Sequence, residues 1–428
     1  MANARQTAVK ALIKVFEKGE YSDRALLSVM GSDIEPRDKA FVSALFYGVI
    51  EKAVTLDTAI ASCSKLPPEK LSPQVRQILR LGFYQLMYMD SVPHNAAVNE
   101  SVKLAVPFKV SSAKGYINGV MRAFIRGGMA MPKFADELSE LSVSCSVPKE
   151  LIKLWIQDYG IEKARLIAHN SAQRPPLFAR ANTLRCSKEK LISILGEEGI
   201  EAVCAQGADD AVILKNAGDI SASPALAEGL FHIQDISSQR CAAALDVREG
   251  MRVLDCCCAP GGKSFTIAQM MGDKGELIAS DISAERLETV KDSAKRLGIK
   301  SISVRAADAA EFNGEMGTFD RILCDAPCSG YGVIRRKPEI KYKAPETVDE
   351  LPDIQYNIVN TVSRYLRPGG KLVYSTCTLR KKENEEIVDR FLKNHEDFDC
   401  PQGPVTVFTG EHGGDGFFYA VLLKRSIY

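Results

Sequence analysis

"LDCCCAPGGKS", Leu254 to Ser264, decides the fold. The run "RVLDCC" (252–257) reads as a strand, and a helical pattern follows the Gly261-Gly262 pair. Glycines at such a turn let the backbone approach a ligand. The helix start presents unpaired N–H groups and a positive dipole end, which suits a phosphate or a carboxylate. Downstream the alternation repeats. "ELIASDI" (276–282), "SISVRAAD" (301–308), "FDRILCDAP" (319–327) and "GKLVYSTC" (370–377) read as strands. "SAERLETVKDSAKRLGI", "IQYNIVNTVSRYL" and "KENEEIVDRFLKN" read as the helices between and after them. Repeated strand–helix units predict a mostly parallel sheet covered on both faces. "VTVF" and "GFFYAVLLKR" have no helix between them and predict an antiparallel hairpin at the sheet edge.

Upstream the pattern differs. Residues 3 to about 128 read as helices: Ala8, Leu12 and Phe16 share one face, and Ile78, Leu79, Phe83, Leu86 and Met87 another. "RGGMAMPKF" (126–134) breaks the pattern, and "VPKELIKLWIQDYG" adds one helix carrying the sole tryptophan, Trp155. A small β-α-β piece spans roughly 178–232. It comprises "LFARANTL", a helix capped by Ser187, and "AVILKN". With 428 residues the chain is too long for one core. Residues 1–135, 136–235 and 236–428 are the predicted domains: an all-α front, a linker helix with a small α+β subdomain, and an α/β domain.

Composition is that of an ordinary globular chain, 46% hydrophobic and 25% charged, with no run apolar enough to span a bilayer. The start lacks a signal-peptide core, so a cytoplasmic location and reduced cysteines are expected. Net charge is +1, unevenly spread: residues 1–130 hold 17 Lys and Arg against 11 Asp and Glu, and the rest 38 against 43. A basic front suits a polyanion or a merely solvated surface.

In open α/β sheets ligands bind at the carboxyl ends of the strands. Asp281 ends the second strand, where an acid grips ribose hydroxyls, and Asp308 ends the third, where it accepts from a base amino group. Together they predict a nucleoside cofactor. The dinucleotide pattern G-x-G-x-x-G is absent, which disfavours NAD and favours S-adenosylmethionine. Of the 12 cysteines, Cys256, Cys257 and Cys258 are too closely spaced for zinc and read as small strand fillers, so no metal is expected. Cys328 in "DAPCSG" and Cys377 in "YSTCTL" fall at neighbouring strand ends. A thiolate adding to carbon-6 of a pyrimidine makes carbon-5 nucleophilic toward a sulfonium methyl. Asp325 is placed to bond the polar edge of that base. The residues alone do not say which cysteine attacks.

"DAPCSG", "GVIRRKPEIKY", "YSTCT", "ENEEIV" and "GDGFFYA" together resemble the bacterial RsmB (Fmu/Sun) family of 16S rRNA cytosine-5 methyltransferases. The resemblance spans the chain. It implies a NusB-like helical RNA-binding front, an RNA-binding middle subdomain and a Rossmann-like catalytic domain using S-adenosylmethionine. It assigns the cofactor to Cys257, Cys258, Ala259, Pro260, Gly261, Gly262, Lys263, Asp281, Asp308 and Asp325. It makes Cys377 the nucleophile and Cys328 the residue assisting release, with Asp325 and Lys263 beside the chemistry. The turn departs from the family at Cys258, where relatives more often carry alanine. The stretch "RRKPEIKYK" supplies Arg335, Arg336, Lys337 and Lys341 as expected phosphate contacts on 16S rRNA, with Tyr331 and Tyr342 as stacking candidates. The rival readings are an NAD-dependent oxidoreductase and an RNA-binding assembly factor with a degenerate cofactor domain.

Overall fold

The computed structural model describes residues 4–31, 35–343 and 345–426. The chain forms two compact units: Met1–Gln173 with Ile334–Pro345, and Arg174–Val333 with Glu346–Tyr428.

The first unit is helical, as expected. Its helices include Ala4–Lys18, Pro36–Cys63, Pro73–Tyr88, His94–Leu104 and Lys114–Arg126. Proline opens two of them at a position where its missing N–H costs nothing, and the Ser72 hydroxyl accepts from Val75 N. The predicted stripes face inward: Ala8, Leu12, Ile78, Leu79 and Phe83 are fully buried. Each large side chain so buried contributes roughly 1.5–3 kcal/mol. The Gly/Pro break near 130 is present, but the compact unit continues to Gln173. Three more helices, Glu137–Cys145, Lys149–Tyr159 and Ile161–Ser171, belong to it. Thr55 Oγ1 donates to Val143 O at 2.6 Å, and Trp155 is fully buried.

The second unit holds two sheets. The smaller is antiparallel, in the order β2-β3-β1-β4: β1 (Leu177–Ala181), β2 (Glu201–Cys204), β3 (Ala211–Lys215) and β4 (Phe231–Ile233). Ser187 caps the helix Lys188–Glu197 through Lys190 N, as expected. The larger sheet contains β5 (Arg252–Asp255), β6 (Glu276–Asp281), β7 (Ile302–Ala306), β8 (Phe319–Asp325), β9 (Leu366–Thr376), β10 (Phe398–Asp399), β11 (Val405–Val407) and β12 (Phe417–Lys424). Its order is β10-β12-β9-β8-β5-β6-β7, with β11 also pairing β12. From β9 to β7 all neighbours are parallel. β11 and β12 are antiparallel, as predicted, but β12 also pairs β9 and β10. The hairpin is therefore not a bare edge. The two-residue β10 carries too little pattern to be read from sequence. Strand order reverses beside β5, which places its carboxyl end at the switch point where such sheets bind ligands.

Candidate functional site

Each strand end at this edge delivers a side chain. β5 ends in Asp255, followed by the turn Cys256–Gly261 and the helix Gly262–Met270. Gly261 has φ +103°, and a Cβ there would lie 2.4 Å from the Phe265 ring, so only glycine fits. A Cβ on Gly262 would meet nothing closer than Gln234 at 3.8 Å, so this glycine leaves open space above the helix start. Cys256 and Cys258 are buried in the two cores flanking the sheet, which is the expected filler role. A cavity of about 190 Å³ opens over the turn, lined by Gln234, Asp255, Cys257, Gly262, Lys263 and Asp325 among others.

Asp281, at the end of β6, is buried. Its carboxylate accepts from Ala259 N at 3.2 Å and Ser283 N at 3.0 Å. The Arg286 guanidinium stands 3.5 Å from the oxygen that accepts from Ala259 N, and a carboxylate has about four acceptor positions, so its acceptor capacity is not exhausted. Asp308 lies exposed just beyond β7 and accepts from Ala310 N. Asp325, ending β8, is gripped on both oxygens: Lys263 Nζ donates to one at 2.6 Å and Ser375 Oγ to the other at 2.8 Å. Burial opposes the charge on Lys263. The Asp325 carboxylate more than offsets this and holds the ammonium above its ordinary range, with Cys377 adding in the same direction.

Cys328 follows β8 and Cys377 follows β9. Their sulfurs stand 3.4 Å apart. The neighbouring Cys377, and then burial, push the Cys328 thiol well above its ordinary range, so Cys328 keeps its proton. A buried network that composition and spacing did not reveal fixes both loops. Ser329 Oγ bonds Thr378 Oγ1 at 2.7 Å, joining the residues that follow the two cysteines. Glu383 is fully buried and accepts from Ser329 Oγ, Ser329 N and Gln355 Nε2. Asn384 donates to Thr378 O and accepts from Thr376 Oγ1. The only signal in sequence was "ENEEIV", which carried the family resemblance without stating a role.

Two further polar atoms of the cavity were not foreseen. Asp255 Oδ2 accepts from Ser264 Oγ at 2.6 Å, but the buried Oδ1 has no partner. Burial pushes this carboxyl up to about 7. Gln234 Nε2 is likewise buried and unpartnered. Open space above Gly262, a buried acceptor and a buried donor together fit a ligand with a zwitterionic amino-acid end.

The basic stretch behaves differently from expectation. Residues 334–345 pack into the helical unit. Lys341 is buried, its Nζ donating to Glu51 O at 2.7 Å. Its expected phosphate contact is therefore corrected: the ammonium faces a backbone carbonyl, not solvent. Arg335 is buried, Arg336 half-buried, and Lys337 exposed with its Nζ 5.8 Å from the Tyr21 ring. Tyr342 donates to Ile50 O at 2.6 Å and packs on Phe16, and Tyr331 is buried in the second unit, so neither ring is an open stacking platform. Among the described residues no cluster of three His, Cys, Asp or Glu could hold a metal, and no helix is long and apolar enough to cross a membrane.

Residues 242–423 match the family model "16S rRNA methyltransferase RsmB/F". Residues 2–126 match the NusB family, and 147–221 a ferredoxin-like domain of RsmF/B-like methyltransferases. The chain is 35% identical over 449 residues to a probable ribosomal RNA small subunit methyltransferase B of Bacillus subtilis, covering 99% of each. It is equally similar, 35% over 432 residues, to the ribosomal RNA small subunit methyltransferase B of Klebsiella pneumoniae, covering 99% of this chain and 98% of that one. The crystal structure of PH0851 is 26% identical and superposes with a TM-score of 0.80, covering 98% of this chain and 99% of its own.

Proposed function

Because the chain belongs to the 16S rRNA methyltransferase RsmB/F family, we propose that it methylates carbon-5 of a cytosine in 16S rRNA, with Cys377 as the nucleophile. S-adenosylmethionine supplies an electrophilic methyl group. In this reading the turn residues Cys257–Lys263 hold its amino-acid end, Asp281 its ribose and Asp308 its adenine amino group.

The Cys377 sulfur adds to carbon-6 of the base. The S–C6 bond forms as the C5=C6 pair moves to carbon-5; carbon-5 then takes the methyl as the methyl–sulfonium bond breaks and its electron pair stays on the departing thioether sulfur. Asp325 keeps a hydrogen bond to the polar edge of the ring, its carboxylate held in place by Lys263 and Ser375. Release passes the carbon-5 proton to water; the C5=C6 bond re-forms as the S–C6 bond breaks, and Cys377 leaves as thiolate with the protonated Cys328 thiol, 3.4 Å away, donating toward its sulfur. The target cytosine must be unpaired or flipped to reach the thiols.

The observation that carries this reading is the thiol pair, 3.4 Å apart beside Asp325 at the end of β8. The test is a trapping experiment on unmodified 16S rRNA. Cys377→Ala should abolish methyl transfer and give no covalent complex. Cys328→Ala should accumulate protein joined to RNA, seen as a slow, ribonuclease-sensitive band on a denaturing gel. Trapping by Cys377→Ala instead would reverse the two roles, and full activity in both variants would end the thiol mechanism.

A further inference from the structure

We infer that Gln234 is a cofactor-binding residue whose side-chain amide donates to the carboxylate of the S-adenosylmethionine amino-acid end; this rests on the cofactor reading above. Gln234 follows β4, outside the turn that the family resemblance assigns to the cofactor. Its side chain is 7% exposed and lines the cavity over the cofactor turn. The amide is held by its oxygen: Thr266 Oγ1 donates to Oε1 at 2.7 Å, and His232 Nε2 lies 3.2 Å from it. Burial pushes the His232 ring down to about 4, so this neighbour is neutral and its ring nitrogen can carry a proton toward Oε1. With Oε1 occupied, Nε2 is left buried and without a partner, on a residue that lines the cavity. The position a Cβ would take on Gly262 is 3.8 Å from Nε2, so the amide stands over the first turn of the helix Gly262–Met270.

That corner offers donors. The first N–H groups of the helix lack intrahelical acceptors, Gly261 provides no side-chain cap, and the Gln234 amide adds two N–H bonds. Of the acids lining the cavity, Asp255 and Asp325 end strands β5 and β8, and Asp235 turns its carboxylate to Ser237 N and Asp415 N. At neutral pH the cofactor has one anionic group, its carboxylate. The sulfonium and ammonium are cationic, and the sugar and base are neutral. A corner built of donors matches the carboxylate alone. Thr266 Oγ1 lies 2.7 Å from Gln234 Oε1 and 3.1 Å from Gly262 O, so it ties the amide to the first turn of the helix.

The experiment is a binding cycle by calorimetry on the full chain, with S-adenosylmethionine and its decarboxylated counterpart as the two probes. Gln234→Ala should weaken binding of S-adenosylmethionine by about tenfold or more, the scale of one hydrogen bond to a charged group. Binding of the decarboxylated probe should change less than about twofold. Gln234→Glu, which keeps the shape and opposes carboxylate to carboxylate, should weaken the first probe further and spare the second. Equal losses on both probes in either variant would mean that the amide only supports the fold, and would overturn the inference. Unchanged binding of S-adenosylmethionine would overturn it too. If the wild-type protein binds neither probe, the cofactor reading itself falls, and the inference with it.

Discussion

Replacing Lys341 by methionine is expected to stabilise the helical unit at neutral pH. The ammonium is buried against the helix Pro36–Cys63, with Glu51 O as its hydrogen-bond acceptor and the Tyr342 ring 5.3 Å away. Burial, with Lys52 adding, pushes its pKa from 10.5 down to about 7. At roughly 1.4 kcal/mol per unit, holding the charge there costs at most about 4–5 kcal/mol. Methionine keeps the length and most of the stem packing. It loses the bond to Glu51 O, about 1–2 kcal/mol, so a net gain of at most about 2–4 kcal/mol is expected. The sign with pH follows from the lowered value. Below pH 7 the amine is charged folded and unfolded, and the penalty is complete. Between pH 7 and 10.5 only the unfolded chain holds the proton, so wild-type stability climbs with pH. Above that range the penalty is gone. Trp155 is the only tryptophan and lies buried in the same unit, so its fluorescence reports this unit's unfolding. Urea titrations at about pH 6.5 and about pH 9.5 should show the wild type closing most of its gap to Lys341→Met at the higher pH. A variant less stable at the lower pH, with the two proteins running parallel across the range, would refute the buried-charge argument.

Asp281→Ala should lower cofactor affinity by roughly 1–3 kcal/mol through unpaired ribose hydroxyls and loss of the acceptor for Ala259 N, with RNA affinity nearly unchanged; equal cofactor binding by calorimetry would remove Asp281 from the site. Asp255→Asn should flatten a pH dependence of stability. The folded carboxyl titrates near 7 against 3.8 unfolded, so the wild type keeps a proton on folding in that window and loses stability as pH rises through it, whereas the asparagine variant should not. Urea unfolding followed by circular dichroism across this range checks the slope, and identical slopes in both proteins would count against a desolvated Asp255.

Much of the catalytic unit was legible because its signals are local. β5, β6, β7, β8 and β9 all fall on runs read as strands, and the chemistry-bearing acids stand at their ends because such a sheet exposes those ends. Short strands escaped. β2 is largely exposed and β4 has three residues, too few for alternation to register. The helices Glu137–Cys145 and Ile161–Ser171 escape because each is short and buries only a few small or polar side chains beside one or two large ones, too weak a stripe to register. The site was half-legible for a related reason. Asp281, Asp325, Cys328 and Cys377 occupy strand ends, which pattern alone locates. Gln234 and Glu383 matter through partners brought together by folding: Thr266, 32 residues away, and Ser329, 54 residues away. Spacing cannot encode such pairs.

Lys341 shows the same limit most sharply. In "RRKPEIKYK" it is one cation in a run, and a run of cations beside a base-modifying site suggests phosphates. What decides its role is Glu51 O, 290 residues earlier in the chain. The burial also changes how the front of the protein should be probed. The chain leaves the catalytic unit after Val333, threads residues 334–345 into the helical unit and returns at Glu346. Deleting residues 1–130 would remove Phe16 and Ile50, against which Tyr342 packs and to which it donates, and would strip the helix that covers Lys341. The segment that this deletion would uncover begins six residues after Cys328, so a truncated protein that failed to methylate would not tell weakened RNA binding from a disturbed thiol loop. Charge reversal at exposed Lys337 separates the two. It leaves the buried anchors of the segment in place, gives up the contact with the Tyr21 ring and changes what the surface offers to a phosphate, so its effect on RNA binding should shrink as salt rises.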